Sequence, residues 1–410
     1  MRITVVGGGV VGLSCALRLA QRGHCVTVVD RASRGDAASW GNAGHIATEQ
    51  VAPLASLATL RSAAGRLFVR GGALDLPPAH TATWLPFVLR MIAAAYPPRF
   101  AKGKRALGAM LADAVPAWQR LVQTLGTPEL LRESGHHVVW ESAATARAGQ
   151  ASWAAADIGT ARFAAADAAT RAALAGITTA PIAGAIHFTG TAHISDLDAL
   201  ATTLAHAFRA VGGRIVTHDA TLSVESARAF VPGFTADCVL VCAGARSAAL
   251  VGAAGHRAPL IAERGYHIRG SAALWPADLP PIVFEDRSMI VTRYGDRLQA
   301  ASFVELAPVD APPDPRKWER LERHVGDLGL AIAGPFTRWV GSRPTLPDYL
   351  PAIGRSRRAP NLFYAFGHQH LGLTLAPITA ELIAGLIAGE AGPVDLTPFD
   401  LERFARVGVR

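Results

Sequence analysis

Cysteine is scarce in this chain: it has four cysteines, and no two of them are spaced as C-x-x-C. This spacing excludes a C-x-x-C redox dithiol and makes a cysteine-ligated zinc site unexpected, so we predict no bound metal. Charged residues are also few, at 18% of the chain, while 50% of the residues are hydrophobic. That balance excludes a largely disordered chain and is typical of a globular enzyme.

Long apolar runs are missing as well. One long uncharged stretch, residues 172–192, is interrupted by proline, glycine and threonine residues. We therefore expect no membrane-spanning helix. The first apolar residues read as a strand rather than as the core of a secretory leader. We therefore expect a cytoplasmic protein that contacts, at most, the inner face of the membrane.

One segment suits such a peripheral contact. Residues 84–100 are apolar and flanked by Trp84 and Tyr96, and a basic cluster follows them at Arg99, Lys102, Lys104 and Arg105. This pattern is typical of a helix lying in a bilayer interface. It also fits a buried helix of a second domain, and base rates favour that interpretation.

The net charge is +8 and the isoelectric point is near 9.8. Both a nucleic-acid partner and an anionic membrane would suit such a charge. The arginines are scattered, however, and no run of five or six basic residues occurs. We therefore expect no nucleic-acid partner, because such binding needs clustered basic and aromatic residues.

Glycines dominate the amino terminus. Gly7, Gly9 and Gly12 follow an apolar strand at 3–6 and open an amphipathic helix at 11–22, and a second apolar strand ends at Asp30. Glycines in this order permit a tight turn and the close approach of a pyrophosphate to the helix N-terminus. Asp30 stands where a carboxylate can accept hydrogen bonds from ribose hydroxyls. The pattern predicts a dinucleotide site; the alternative is a helix-capping loop without a ligand.

With 410 residues, the chain is long enough for two domains. Three strand and helix patterns, near residues 197–217, 237–250 and 361–389, resemble further pieces of the nucleotide-binding sheet. We predict an α/β fold, α+β overall, in which a discontinuous Rossmann-like domain (1–50, 191–265 and 335–410) is interleaved with a substrate domain (51–190 and 266–334). The second domain is expected to have an antiparallel or mixed sheet.

Five further motifs resemble the D-amino-acid oxidase superfamily of flavoproteins, and most of all the bacterial FAD-dependent D-amino-acid dehydrogenases of the small-subunit type, D-hydroxyproline dehydrogenase-like members included. The motifs are Ser39-WGNAGHI, Arg264-GYHIRG, Glu285-DRSMIVTRYGDRLQAASFVE, Val340-GSRPTLPDYLPAIG and Gly367-HQHLGLT. Two positions depart from the family: Asp30 replaces a glutamate, and Ala301-Ser302 replaces a glycine pair. The first leaves NAD use more open, and the second puts the local strand geometry in question.

The resemblance implies FAD as the cofactor, and it implies a set of cofactor-binding residues along the chain. They are Gly7, Gly9, Val10, Val11, Gly12, Asp30, Arg31, Ser39, Asn42, Ala43, Gly44, His45, Ile46, Thr221, Ala243, Gly244, Gly341, Gly367, Leu371, Gly372, Leu373 and Thr374. In some relatives a histidine anchors the flavin covalently, and His45 stands at a position to do so. A hydrogen-bonded loop histidine is the favoured alternative.

The resemblance also implies catalytic residues. Arg343 matches a guanidinium that holds the substrate carboxylate, because a planar fork suits a carboxylate. The alternative for Arg343 is a structural role in the GSRP turn. Tyr266 matches a residue at the edge of the substrate site, and the alternative is that it is a core tyrosine. His370 matches a position that carries a second cation in some relatives, and His267 would serve equally well.

We therefore expect oxidation of a D-amino acid or a cyclic D-imino acid such as D-proline or D-hydroxyproline, with hydride transfer from Cα to flavin N5. A quinone or another electron-transfer partner is the expected acceptor. The alternatives are a glycine- or sarcosine-type oxidase that releases hydrogen peroxide and, less consistent with the motifs, an NAD-dependent dehydrogenase. The oligomeric state stays open.

Overall fold

The structure, a computed structural model, describes residues 1–31 and 37–405. It begins with the unit that the glycine pattern predicts: β1 (Arg2–Val6), α1 (Val10–Gln21) and β2 (Cys25–Asp30). The two strands are parallel and rich in buried valine, a β-branched residue that packs well on both faces of a covered sheet. The helix begins one residue before the predicted start.

The remaining elements follow in chain order. The other strands are β3 (His45–Ile46), β4 (Leu74–Asp75), β5 (Leu131–Arg132), β6 (His136–Trp140), β7 (Arg162–Ala165), β8 (Gly184–Thr189), β9 (Ala192–Ile194), β10 (Arg214–Thr217), β11 (Ser223–Glu225), β12 (Arg228–Phe230), β13 (Cys238–Val241), β14 (Ile261–Ser271), β15 (Ile282–Phe284), β16 (Met289–Tyr294), β17 (Arg297–Ala307), β18 (Ala333–Thr345), β19 (Ala352–Arg355) and β20 (Leu362–Phe366). The other helices are α2 (Leu57–Ser62), α3 (Thr81–Ala94), α4 (Pro97–Ala112), α5 (Ala114–Leu125), α6 (Ala143–Ala155), α7 (Ala168–Ala175), α8 (Leu197–Ala210), α9 (Ser247–Ala253), α10 (Pro315–Asp327) and α11 (Gly372–Ala388).

A six-stranded sheet gathers the distant nucleotide-binding pieces in the order β10-β2-β1-β13-β20-β19. Its first five strands are parallel, and β19 runs antiparallel to β20. Helices α1, α8 and α11 pack together beside it. The sequence analysis therefore predicted the convergence of these segments on one sheet correctly, and the α/β fold class is confirmed.

The second large sheet has nine strands and is mixed. Its order is β18-β14-β17-β16-β15-β6-β8-β7, with β4 paired to β17. The later strands of this sheet run from Ile261 to Thr345, so β14 and β18 extend beyond the predicted limits of 266–334. Conversely, α4 and α5 pack on α11, beside the nucleotide-binding sheet, although they lie within 51–190. The division into two domains stays a prediction.

Two apolar segments bear on membrane contact. The helical segment Gln369–Ala388 is long and apolar enough, by length and composition, to cross a membrane. It is mostly buried inside the protein, where α11 packs against α1 and α5, and the expectation that no helix spans a membrane stays a prediction. The favoured interpretation of 84–100 as a buried helix is wrong, because α3 buries only Phe87 and ends at Ala94, before Pro97 begins α4.

Candidate active site

A cavity of about 1380 Å³ extends from the N-terminus of α1, at the carboxyl edge of the six-stranded sheet, to strands β14, β17 and β18 of the nine-stranded sheet. Ligands bind at the carboxyl ends of parallel strands because the loops there diverge and leave a crevice. Its volume exceeds the range of a drug-sized ligand and suits a dinucleotide together with a small substrate.

The glycine loop forms the first part of the cavity wall. Gly7 has a φ of +111°, and a Cβ there would clash with the carbonyl of Cys242 on β13. A Cβ on Gly12 would clash with the carbonyl of Gly7, so Gly12 sets how closely α1 approaches the loop. Gly8 donates its backbone N–H to the carboxylate of Asp30, which also lines the cavity.

The fit of a dinucleotide is best tested at Gly9. Gly9 precedes α1 and supplies no side-chain cap to the amides of the first turn. A Cβ on Gly9 would contact only Ser39 Oγ, at 3.1 Å, so a side chain there would take up cavity space rather than protein space. Ser39 in turn accepts a 3.1 Å hydrogen bond from the backbone N–H of Val10. A helix N-terminus open to a cavity in this way suits the pyrophosphate of FAD.

Most of the predicted cofactor-binding residues line this one cavity. They are Gly7, Gly9, Val10, Val11, Asp30, Arg31, Ser39, Asn42, Ala43, His45, Thr221, Ala243, Gly244, Gly341, Gly372 and Leu373. Thr221 lies in the loop that follows β10, four residues beyond the end of that strand. The fold therefore brings these residues from distant parts of the chain to one cavity, and their role in cofactor binding stays a prediction.

The other predicted cofactor residues lie behind the residues that line the cavity. Ile46 and Leu371 are buried in the core, and Thr374 Oγ1 accepts a 3.0 Å hydrogen bond from the backbone N–H of Ala47. Gly44 and Gly367 have positive φ, and a side chain on either would clash with a neighbouring side chain. Together with Gly12, these residues shape the loops instead of lining the cavity.

The loop 39–46 is held in place from the second sheet. Its Asn42 carbonyl accepts hydrogen bonds from Tyr294 Oη (3.0 Å) and Gln299 Nε2 (2.8 Å), while the Asn42 side chain accepts one from Gly44 N–H (2.8 Å). Thr292 Oγ1 donates to the carbonyl of Ala43 at 2.8 Å. Because β16 and β17 of the second sheet hold this loop, its backbone is fixed beside the cavity before any ligand binds.

His45 ends this loop and forms a buried cluster. Its Nε2 lies 3.1 Å from Glu49 Oε1, and its ring packs edge-on against His136 at 4.4 Å between centroids. Burial alone would raise the pKa of Glu49, but His45 and His136 outweigh burial and lower it to about 2. Burial lowers the pKa of His136 to about 3. Ligand atoms of these three residues lie within 4.8 Å of one another, an arrangement that the sequence analysis did not predict.

Arg343 lies on β18 at the opposite part of the cavity. Its Nη1 donates a 3.1 Å hydrogen bond to the carbonyl of Phe303 and lies 3.5 Å from Glu263 Oε1. The guanidinium covers Gly265, where a Cβ would clash with Nη2. In the described chain no protein acceptor lies within hydrogen-bond distance of Nε or Nη2. Arg343 therefore keeps one donor edge for a ligand.

A β-bulge aims the Phe303 carbonyl at Arg343. In the pairing of β14 with β17, Arg264 is opposite Glu305 but Tyr266 is opposite Ser302, so Phe303 and Val304 together face Gly265. Phe303 has a φ of +73°, which is strained for a residue with a side chain. The resemblance put the strand geometry near Ala301-Ser302 in question, and the irregularity lies at the next residue.

Tyr266 lines the cavity, but its hydroxyl is bonded to protein groups. The hydroxyl donates to Glu305 Oε2 and accepts a 3.1 Å hydrogen bond from the backbone N–H of Asp314. Burial, together with Glu305, raises the pKa of the Tyr266 phenol well above its usual value. In this arrangement Tyr266 offers its ring, rather than its hydroxyl, to a ligand.

His370 also lines the cavity, where its Nε2 is hydrogen-bonded to Gln50 Oε1. Burial lowers the pKa of His370 to about 4, so its imidazole is neutral at pH 7. His267 stacks on Trp339 at 4.7 Å, and its Nδ1 lies 3.1 Å from the carbonyl of Gly41. Burial lowers the pKa of His267 to about 3. Neither histidine supplies a second positive charge at neutral pH.

Sequence reasoning missed several residues of the site. Glu263 pairs with Arg343 and directly precedes the Arg264-GYHIRG motif. Glu49 follows His45 by four residues. Both could have been predicted because they are acidic residues next to the motifs. No sequence motif near His136 or Arg66 pointed to the site. Only the pairing of distant strands brings them to the site.

The open helix N-terminus, the acid at the end of β2 and the arginine across the cavity define a dinucleotide-binding oxidoreductase. A family comparison agrees: residues 2–386 match the FAD dependent oxidoreductase family, DAO. The chain is 32% identical, over 98% of its length and 100% of the relative, to D-amino acid dehydrogenase 2 of Ralstonia nicotianae. It is 28% identical to D-amino-acid oxidase of Bradyrhizobium diazoefficiens, over 98% of both chains.

The fold also matches solved structures. Glycine oxidase from Geobacillus kaustophilus superimposes with a TM-score of 0.71 at 20% identity, covering 98% of this chain and 99% of that one. The protein belongs to the DAO family of FAD-dependent oxidoreductases. The predictions of the family, of the enzyme class and of FAD as cofactor are therefore confirmed.

Proposed function

We propose that this enzyme oxidises D-amino acids and cyclic D-imino acids, D-proline and D-hydroxyproline included, and passes the electrons to a quinone or a similar acceptor. The observation that carries the proposal is the open donor edge of Arg343 on the cavity wall. A planar guanidinium binds a carboxylate through two parallel hydrogen bonds and so fixes its orientation. The names of the curated relatives supply the amino-acid class.

FAD would be held by the glycine loop, with Asp30 at the ribose, the first turn of α1 at the pyrophosphate and loop 39–46 beside the ring system. When bound, FAD accepts the two electrons of the oxidation as a hydride. The protein contributes orientation, because Arg343 fixes the carboxylate and hence the position of the Cα–H bond. Glu263 and the Phe303 carbonyl hold Arg343 in place.

Substrate reacts as the free amine, and no side chain is assigned as its base. His370 is neutral and bonded to Gln50, so it neither repels the ammonium group nor competes for the carboxylate. Removal of the amine from water into the cavity favours loss of its proton, since burial disfavours an unpaired charge. The product is an imino acid; a linear one hydrolyses to a keto acid and ammonia.

The test is a panel of D- and L-amino acids with the purified yellow protein and an artificial dye as acceptor. We expect D-proline, D-hydroxyproline and D-alanine to reduce the dye faster than their L enantiomers. Preferential oxidation of the L enantiomers, or no reduction with any amino acid, would contradict the proposed function.

A glycine- or sarcosine-type oxidase is the alternative, and the similarity to glycine oxidase in fold supports it. The two functions differ in the acceptor. With air as the only acceptor, the dehydrogenase proposal predicts that hydrogen peroxide forms much more slowly than dye is reduced. Equal rates with glycine or sarcosine as substrate would favour the oxidase.

We further propose that the enzyme docks on the inner face of the cytoplasmic membrane through α3. This helix exposes Leu85, Leu89 and Ile92. Between residues 76 and 112 the chain has no acidic residue, and five basic ones occur, at Arg90, Arg99, Lys102, Lys104 and Arg105. Exposed apolar side chains next to basic residues favour binding to a membrane that contains anionic lipid. A membrane-bound quinone would then be close to the enzyme.

Vesicle flotation tests this contact. We expect the protein to bind vesicles with anionic lipid more strongly than vesicles of neutral lipid, and Leu89→Glu to abolish binding. Leu274→Glu is the matched control, because Leu274 is exposed elsewhere on the protein and its replacement should leave binding unchanged. Equal loss with both variants, or no flotation of the wild type, would contradict membrane docking.

A further inference from the structure

Arg66 is a second guanidinium in the active-site cavity, and none of the cofactor or substrate assignments above uses it. It lies in the short 3-10 helix Ala63–Arg66 and lines the cavity with Gln50, Glu263 and Arg343. Within the described chain its side chain has no ion-pair or hydrogen-bond partner. An arginine that faces a binding cavity without a partner is available to an anionic ligand.

The segment that carries Arg66 is fixed against the bulge that holds Arg343. A Cβ on Gly72 would clash with the backbone of Arg66, so the glycine lets the chain close tightly after this residue. The next residue, Ala73, accepts a 2.9 Å hydrogen bond from Val304 N–H, and Phe68 packs edge-on against Phe303 at 5.7 Å. Arg66 therefore has a defined position relative to Arg343.

Both guanidiniums act on the same part of the protein. Burial raises the pKa of the Tyr349 phenol and Glu263 adds to that rise, while Arg343 and Arg66 both oppose it. Arg66 likewise opposes the rise that burial causes in the pKa of Glu285, although no ion pair links the two. Arg66 and Arg343 therefore both lie close enough to Tyr349 to oppose the rise in its pKa.

The charges at the end of the cavity that holds Arg66 and Arg343 do not cancel. Among the residues that the structure describes, the cavity wall there holds the guanidiniums of Arg66 and Arg343 and one carboxylate, that of Glu263. Arg264 also lines the cavity but is paired with Glu305, and Asp310 is paired with Arg246. His370 is neutral because burial lowers its pKa to about 4. One positive charge is left in excess.

We infer that Arg66 forms a subsite for a second carboxylate and that the preferred substrates are acidic D-amino acids. A side-chain carboxylate adds one negative charge to the substrate whether its amine is protonated or free, and the unpartnered guanidinium of Arg66 supplies the matching positive charge. Arg343 would bind the carboxylate next to the reacting carbon, and Arg66 the distal one. This inference rests on the proposed function and narrows its substrate class, with acidic substrates ranked above small neutral ones.

The test compares substrate pairs that differ in one charge at equal size. We expect kcat/KM for D-glutamate to exceed that for D-glutamine by about tenfold, the scale of one partly shielded ion pair. Arg66→Gln should remove this preference, mainly through KM for D-glutamate, and should change kcat/KM for D-glutamine far less. Arg66→Lys should restore part of it. Arg61→Gln is the matched control, since it removes an exposed positive charge from the preceding helix without touching the cavity.

A binding experiment gives a readout that does not depend on turnover. Glutarate, which cannot be oxidised at an amine, should perturb the visible spectrum of the bound flavin with a Kd about tenfold below that of butyrate in the wild type. Arg66→Gln should make the two Kd values equal. Oxidation of D-amino acids without preference for D-glutamate, or a preference that survives in Arg66→Gln, overturns the subsite. Absence of any D-amino-acid oxidation overturns the proposed function instead, while the glutarate titration still decides on Arg66.

Discussion

Arg343 donates a 3.1 Å hydrogen bond from Nη1 to the carbonyl of Phe303, a residue whose φ of +73° departs from the strand on either side. The bulge at Phe303 costs backbone energy, of about 1–3 kcal/mol for a residue in such a region. In return, the carbonyl fixes one edge of the guanidinium and turns the other toward the cavity. The strain is thus located where orientation of the proposed substrate clamp matters.

Replacement of Arg343 tests the clamp. Arg343→Ala should lower kcat/KM for D-amino acids by roughly a hundredfold, about 3 kcal/mol, because two charge-assisted hydrogen bonds are lost. Arg343→Lys should recover part of this loss, since it keeps the charge but not the fork. Flavin content, measured by absorbance, should not change. Arg338→Ala on the exposed part of the same strand is the control, and an Arg343→Ala enzyme of normal kcat/KM would place the carboxylate elsewhere.

The Tyr266 hydroxyl faces Glu305 and Asp314, so its removal should affect stability more than catalysis. Tyr266→Phe leaves a buried carboxylate short of a donor, and we expect a loss of about 1–3 kcal/mol in the free energy of unfolding. By the same geometry kcat/KM should fall by less than about threefold. Denaturant unfolding and steady-state kinetics measure the two effects. A large loss of kcat/KM at normal stability would show that the hydroxyl turns to the substrate.

Gly9 should be essential for the cofactor but not for the fold. Gly9→Val places its side chain in the cavity, where the protein presents only Ser39 Oγ nearby. We expect a folded protein, by circular dichroism, that purifies without bound FAD. Gly252→Val, at an open position of α9, should retain the flavin. A yellow Gly9→Val protein would mean that the pyrophosphate lies away from this turn.

The flavin should be bound without a covalent link to His45. The Nε2 of His45 is taken up by Glu49, and its Nδ1 is buried, so neither nitrogen is exposed for attachment. Acid precipitation should release free FAD into the supernatant. Flavin fluorescence that stays with the denatured polypeptide, and disappears in His45→Ala, would identify His45 as the anchor.

Acid should destabilise the protein through its buried histidines. Burial lowers the pKa to about 3 or 4 in His136, His137, His193, His267, His324, His368 and His370. A histidine that stays neutral in the fold takes up its proton only in the unfolded chain below about pH 6.5. The unfolded state then binds more protons, so stability falls as the pH drops from about 6.5 toward 4.

His368 isolates one such contribution, because burial is the only cause of its shift in pKa to about 3. Between pH 6 and 4, the unfolding free energy of His368→Gln should fall less steeply than that of the wild type, by about 1.4 kcal/mol per pH unit. Denaturant titrations at several pH values measure the slopes. His206→Gln, at an exposed position of α8, is the control. Equal slopes for wild type and His368→Gln would show that His368 is protonated in the fold.

The nucleotide-binding half of this protein was predictable from local sequence patterns. Short-range sterics and burial determine which residue types suit these positions, so the pattern is visible in the sequence. It consists of the glycines after β1, the apolar strands and Asp30. The family motifs added Arg343 and the loop 39–46, which the fold brings to one cavity. Local periodicity also indicated the strand and helix patterns near residues 197–217 and 361–389, where α8 and α11 lie.

The substrate end of the cavity depends on contacts that form only in the folded chain. The pairing of β14 with β17 creates the bulge at Phe303, and the pairing of β14 with β18 sets Glu263 beside Arg343. The position of Arg66 and the contact of His136 with His45 likewise depend on strands far apart in sequence. Such contacts follow from sheet register and side-chain packing, which depend on the whole fold, so no local pattern contains them.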